Sequence, residues 1–124
     1  MNNNAVLKQT KSLQPGDLIR VEWSDASIGK SLAYGADVDI PVRSWGLYIA
    51  VLGRKSKHIV LAQNYFEYSN GFYEVDYTAL PLSWTMKITV IAKQEVTSET
   101  ATQLLKSFLA GRSRTLKRRT KNHA

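Results

Sequence analysis

Apolar and polar residues alternate along most of this 124-residue chain, and the period changes near its end. In LQPGDLIRVEW a Pro-Gly turn precedes Ile19, Val21 and Trp23 on one side and Leu18, Arg20 and Glu22 on the other, the period-two pattern of a half-exposed strand. Residues 24–43 are mostly polar, carry Gly35 and Pro41, show no helical repeat and so predict a long loop. SWGLYIAVLG, residues 44–53, is nearly continuous in apolar character and predicts a central strand, with Gly46 marking a bend or bulge. After a basic turn, HIVLAQNYFEY and FYEVDY flank Asn70-Gly71, a pair that accepts the positive φ of a type I′ hairpin. With a two-residue turn, Tyr68 faces Tyr73, Phe66 faces Val75 and Asn64 faces Tyr77. Phe66, Tyr68, Tyr73 and Tyr77 then form the core face, and Tyr65 and Phe72 lie on the other face beside Glu67, Glu74 and Asp76. A one-residue slip of register would exchange the two faces. LPLSWTMKITVIAK supplies the last strand, with Met86, Ile88 and Val90 opposite Lys87 and Thr89.

The tail has a different period. In TSETATQLLKSFLAG, Ala101, Leu104, Leu105 and Phe108 fall at helical spacing, Thr97 or Ser98 supplies the N-cap, Glu99 complements the helix dipole and Gly111 predicts the stop. The helix face is expected to dock on the sheet. RSRTLKRRTKNHA beyond it is either a helical extension or a disordered arm. Five short strands with tight turns predict a mainly β fold, a small, strongly bent five-stranded barrel of the SH3-like or Sm-like size, over residues 1–96. Residues 97–124 are the C-terminal amphipathic helix and basic tail.

Charge is distributed as unevenly as hydropathy. The chain carries +7 overall, but residues 1–98 hold ten Lys/Arg against nine Asp/Glu, whereas residues 99–124 hold seven against Glu99 alone. The positive charge is therefore a C-terminal feature. At 44% hydrophobic and 22% charged, the composition is that of a folded globular domain. No apolar run approaches the ~18–20 residues that span a bilayer, and the first residues lack the apolar stretch of a signal peptide, so a cytoplasmic or virion-associated protein is expected.

The absence of cysteine excludes disulfides, a thiol nucleophile and a Cys-based zinc site. The two histidines, His58 at a strand start and His123 next to the end, form no evident pair. SDASIGKS, residues 24–31, ends like a phosphate-binding loop, but Ser24 stands where the leading glycine belongs. LAYGADVDIPV after it predicts no helix to present amides to a phosphate. PGDLIRV and WGLYIAV resemble a strand pair of the NlpC/P60 amidases, yet Trp45 stands at the expected histidine and the nucleophilic cysteine is missing. Asp25, Asp37 and Asp39 match no calcium-loop spacing. No enzyme constellation is complete, and no cofactor is expected.

GDLIRVEWSDAS, Gly46 early in an apolar strand, IVLAQN and ALPLSWTMKITVI together resemble a set of small phage and mobile-element proteins. The matching residues are Val21, Trp23, Asp25, Ala26, Ser27, Gly46, Leu61, Ala62, Gln63, Pro81 and Ile88; Leu80 stands where Ile is usual. The resemblance spans roughly residues 17–91 and implies a compact barrel in a viral or mobile-element setting, without implying an activity.

These readings converge on a non-enzymatic nucleic-acid-binding protein. Arg112, Arg114, Lys117, Arg118, Arg119 and Lys121 concentrate enough charge to neutralise several phosphates of RNA or DNA. Arg54, Lys55 and Lys57 add a second basic element, and Tyr65 and Phe72 are the aromatic side chains placed to stack on bases. The alternative is a structural or adaptor subunit that assembles with its own copies or with another protein, because aromatics beside carboxylates suit a protein interface.

Overall fold

The computed structural model describes residues 3–25, 40–70 and 73–122, with the backbone alone at 3–4 and 111–122. The elements are α1 (Asn3–Ser12), β1 (Leu18–Asp25), β2 (Ile40–Leu52), β3 (His58–Glu67), β4 (Tyr73–Pro81), a 3-10 turn (Leu82–Trp84), β5 (Thr85–Ala92) and α2 (Ser98–Asn122). All strand pairs are antiparallel, in the order β4-β3-β2-β1-β5. The expected mainly β fold with a C-terminal helix is present.

β2 is the shared member of two half-sheets. Its residues 40–47 pair with β1, and its residues 47–52 pair with β3, so the partner changes just after Gly46. A Cβ on Gly46 would lie 2.9 Å from the Leu61 Cβ and 3.0 Å from the Ala62 carbonyl oxygen, so the close approach of β2 and β3 at this point needs glycine. The sheet is strongly coiled as a result. Pro81 is reached through His58 from Leu52, and Thr85 through Trp23 from Val42. In a flat sheet those two ends would be roughly 40 Å apart, given ~3.3 Å per residue and ~4.8 Å per strand. Instead the Thr85 hydroxyl donates to the Pro81 carbonyl at 3.1 Å. Closure stops there, since β4 and β5 do not pair and the sheet remains open.

The coil encloses one core and α2 covers a second. Ile19, Val21, Tyr48, Ile59, Leu61, Leu80 and Ile88 gather on the inner face with Leu82, and Val6 and Leu13 close one end. Ile49, Val60 and Ala62 face the other way and pack against Leu104, with Leu105 and Phe108 alongside. Four successive residues of β3, Ile59 to Ala62, are buried because both faces are covered. The amphipathic helix thus docks as its spacing predicts. Its N-cap is Thr97, whose hydroxyl accepts the Thr100 N–H at 3.1 Å.

One element is unannounced by the sequence, and two expectations are corrected. Residues 3–12 form a helix that the apolar pattern does not announce, because only Val6, Thr10 and Leu13 turn inward and one of them is polar. α1 lies against β5, where the Gln9 side-chain oxygen accepts the Ile88 N–H at 3.2 Å and so satisfies an edge-strand donor. Of the corrections, the first is that β2 begins at Ile40, inside the segment expected to be loop. The second is that Gly111 does not stop α2, whose backbone stays helical to Asn122.

A buried carboxylate locks the ends of the fold together. Asp17 is fully buried and accepts hydrogen bonds from the Gln14 and Gln94 N–H groups at 2.9 and 3.0 Å and from the Lys93 ammonium at 3.1 Å. Burial alone would raise its pKa, but these donors and the Gln94 side chain outweigh it and hold the carboxyl below its ordinary value. Beside it Gly16 has φ +101, and a Cβ there would fall 2.4 Å from the Val96 carbonyl oxygen.

Candidate nucleic-acid interface

The expected site residues do not gather at one place. Arg54, Lys55 and Lys57 are exposed on the β2–β3 turn, made tight by Gly53 at φ +129. Tyr65 lies seven residues along β3 from His58, roughly 23 Å away at ~3.3 Å per residue. Phe72 lies outside the described residues, as do residues 26–39 with most of the phosphate-loop-like segment and Asp37 and Asp39. The backbone that carries Arg112, Arg114, Lys117, Arg118, Arg119 and Lys121 continues α2 past its docked half. The docked half ends near β4, where Phe108 meets Tyr77 edge to face at 4.4 Å between centroids.

The β3–β4 register differs from expectation by one residue, and the difference changes the chemistry of both faces. Glu67 pairs with Tyr73, Phe66 with Glu74, Tyr65 with Val75 and Asn64 with Asp76, which is not the register of a two-residue turn at Asn70-Gly71. An irregularity at Gln63 shifts the register by one residue more, so that Ala62 pairs with Tyr77. Tyr65, Tyr73, Val75 and Tyr77 therefore share the face that α2 covers. Phe66 and Tyr68 fall on the opposite face with Glu74 and Asp76, against the expectation that they pack in the core. Phe66 is 60% exposed, and the Tyr68 hydroxyl donates to the Glu74 carboxylate. Tyr77 is also more exposed than a core residue. Two of the three carboxylates expected beside Tyr65 have thus moved away from it, and only Glu67 remains on its face.

Tyr65 instead borders a feature that the alternation pattern conceals. Where β2 and β3 diverge beyond the Leu47–Ala62 pair, a groove of about 430 Å³ opens, lined by Leu18, Trp45, Gly46, Leu47, Ala62, Gln63, Asn64 and Tyr65. Trp45 is 49% and Tyr65 43% exposed. Arg20 stands directly opposite Trp45 on β1, on the same face of the ladder, with its Nη2 3.4 Å from the Thr89 hydroxyl and its Nε buried without a partner. Next to it, Arg43 and Glu22 neutralise each other at 3.2 Å. The sequence signal for the groove is Gly46, whose place in an apolar strand predicts a bend and no site.

His58 begins β3 as expected, with Nδ1 3.1 Å from the Ser56 carbonyl oxygen. Among the described residues, no three His, Asp or Glu side chains cluster so that they could hold a metal ion, and no helix is long and apolar enough to cross a membrane. Comparison of the chain with protein-family models, with curated proteins and with solved structures gives no match in any of the three.

Proposed function

We propose that this protein is a non-enzymatic nucleic-acid-binding module in which a small curved sheet holds a basic helical segment beyond its own edge. The observation that carries the reading is the division of α2. Residues 98–110 spend their apolar face on the sheet, while the helix runs on through residues 111–122 with six basic residues. Arg114, Lys117, Arg118 and Lys121 have the i, i+3, i+4, i+7 spacing of one helix face, which suits a row of phosphates. Arg54, Lys55 and Lys57 are a second, separate contact for the backbone of a longer ligand.

The coiled five-stranded sheet supports reading the fold as an SH3-like or Sm-like small barrel left open between β4 and β5. Of the residues that resemble small phage and mobile-element proteins, Val21, Asp25, Leu61, Ala62 and Ile88 are buried and Trp23 packs on the core. That likeness is therefore carried mostly by packing and speaks to architecture and a cytoplasmic or virion-associated setting, not to chemistry.

Fluorescence anisotropy with labelled single-stranded RNA, single-stranded DNA and duplex DNA tests the function. If six phosphates are neutralised on duplex, log K against log salt has a slope of about −5, at −0.9 per phosphate. Replacing the six basic residues by Gln flattens it. Absence of binding by the wild-type chain at low salt would refute the proposal.

A second reading rests on the opposite face of the hairpin. Phe66 and Tyr68 meet edge to face at 5.0 Å beside Glu74 and Asp76, an exposed aromatic and acidic surface that repels phosphate and suits a protein partner or a second copy. Concentration-dependent sedimentation abolished by Phe66→Ser, with no nucleic acid present, is the result that favours this adaptor role.

A further inference from the structure

We infer that the groove between Trp45 and Tyr65 is a binding site for one unpaired base of single-stranded nucleic acid. The inference rests on the nucleic-acid reading above and adds to it a place, a strandedness and a set of residues. The two rings that border the groove are about half exposed although each belongs to a paired strand, and exposed aromatic rings are platforms on which bases stack. Its volume of about 430 Å³ falls in the ~300–1,000 Å³ range of small-ligand sites.

The polar lining suits a base edge. A Cβ on Gly46 would lie 3.2 Å from the Gln63 Nε2, so the exposed Gln63 carboxamide lies over the bare glycine backbone in the fork. That carboxamide has no hydrogen-bond partner among the described residues, and it offers a donor and an acceptor side by side. The floor is apolar, formed by Leu18, Leu47 and Ala62. A base inserted here would trade water for ring and aliphatic contacts on its faces while keeping hydrogen bonds at its rim.

Charge selects the kind of ligand. Arg20 faces the same side as Trp45 and has no acidic partner among the described residues, and the nearby Glu22 is neutralised by Arg43. Glu74 and Asp76 lie on the other face of the hairpin, and among the described residues no acidic side chain lines the groove. Tyr65 touches Tyr73 edge to face at 5.7 Å, and Tyr73 packs in the same cluster as Phe108, a few residues before the basic part of α2 begins. One strand can therefore place a base in the groove and its phosphates toward the basic segment. A duplex cannot, because its bases are stacked on both faces and paired along the edge that Gln63 would read.

The test uses the full chain with a labelled homopolymeric single strand, as RNA and as DNA, and a duplex of matched length. Trp45→Ala, Tyr65→Ala and Gln63→Ala are compared with wild type, and thermal unfolding checks that each variant is folded. Loss of one stacking ring should weaken single-strand binding by about 5- to 150-fold and leave duplex binding within about twofold. Trp45→Phe, which keeps a ring and needs no change of fold, should retain most of the affinity and lose part of the tryptophan quenching seen on adding the single strand. Equal single-strand affinity in wild type and Trp45→Ala would overturn the groove while leaving the basic helix as the binding element. Loss of duplex and single-strand binding in parallel would also overturn it. If Trp45→Ala instead abolishes self-association and spares binding, the groove is a protein contact. Failure of the wild-type chain to bind any of the probes at low salt would remove the function and the groove together.

Discussion

Trp23 and Trp84 stack with ring planes 12° apart and centroids 6.3 Å apart, joining β1 to the short turn that connects the two edge strands. This contact lies where the coiled sheet comes nearest to closing. A double-mutant cycle on Trp23→Leu and Trp84→Leu, read by urea unfolding, should give a coupling of about 0.5–1.5 kcal/mol, and additive losses would show that the stack is incidental.

Gly46 permits the partner exchange of β2, so it should resist any side chain. Gly46→Ala places a methyl group 2.9 Å from the Leu61 Cβ, an atom that cannot swing away. The expected loss is about 1–3 kcal/mol in chemical unfolding, and Gly46→Val should lose more. A Gly46→Ala variant as stable as wild type would mean that β2 and β3 separate without strain.

Asp17 gives stability a defined pH dependence. Its carboxyl is held below the ordinary value of 3.8, so the ion favours the folded state, and that stabilisation is complete above the unfolded pKa and disappears as pH falls through the folded one. Asp17→Asn should cost about 1.5–3 kcal/mol at pH 7, since hydrogen bonds to a buried charge are lost. The gap between the two proteins should narrow below about pH 4, near the carboxylate's unfolded value. A constant gap from pH 7 to pH 3 would assign the destabilisation to packing instead.

Leu104 is fully buried between α2 and the sheet. Leu104→Ala should cost about 2–5 kcal/mol. If α2 is an accessory and not part of the fold, the same variant will melt at the wild-type temperature.

The parts of this fold legible in the sequence were those fixed by nearest-neighbour periodicity. Ile19 and Val21 inward against Arg20 and Glu22, Ile88 inward against Lys87, and Ala101, Leu104 and Phe108 on one helical stripe all follow the pattern. The register at Asn70-Gly71 did not follow, because a favourable turn dipeptide competes with the fit of β3 on β2, and the irregularity at Gln63 moves Tyr65 and Phe66 to opposite sides from those a regular ladder gives them. The apolar pattern does not mark α1 because its inward face includes Thr10, whose hydroxyl donates to the Leu7 carbonyl at 2.6 Å and needs no partner from the core. Periodicity does not mark the groove for a different reason: Trp45 and Tyr65 are distant in sequence and come together only where two strands part.

The pairing of β1 with β5 sets an order of assembly. β2, β3 and β4 follow one another through short connections and can zip as successive hairpins at low entropic cost. Arg20 and Thr89, by contrast, are separated by 69 positions, and their strands can meet only after that whole loop is closed. During synthesis the inner core must therefore wait, with Ile59, Leu61 and Leu80 uncovered, until Ala92 has left the ribosome. The β1–β5 ladder should be the last part to protect its amides from solvent exchange, and the β3–β4 ladder among the first.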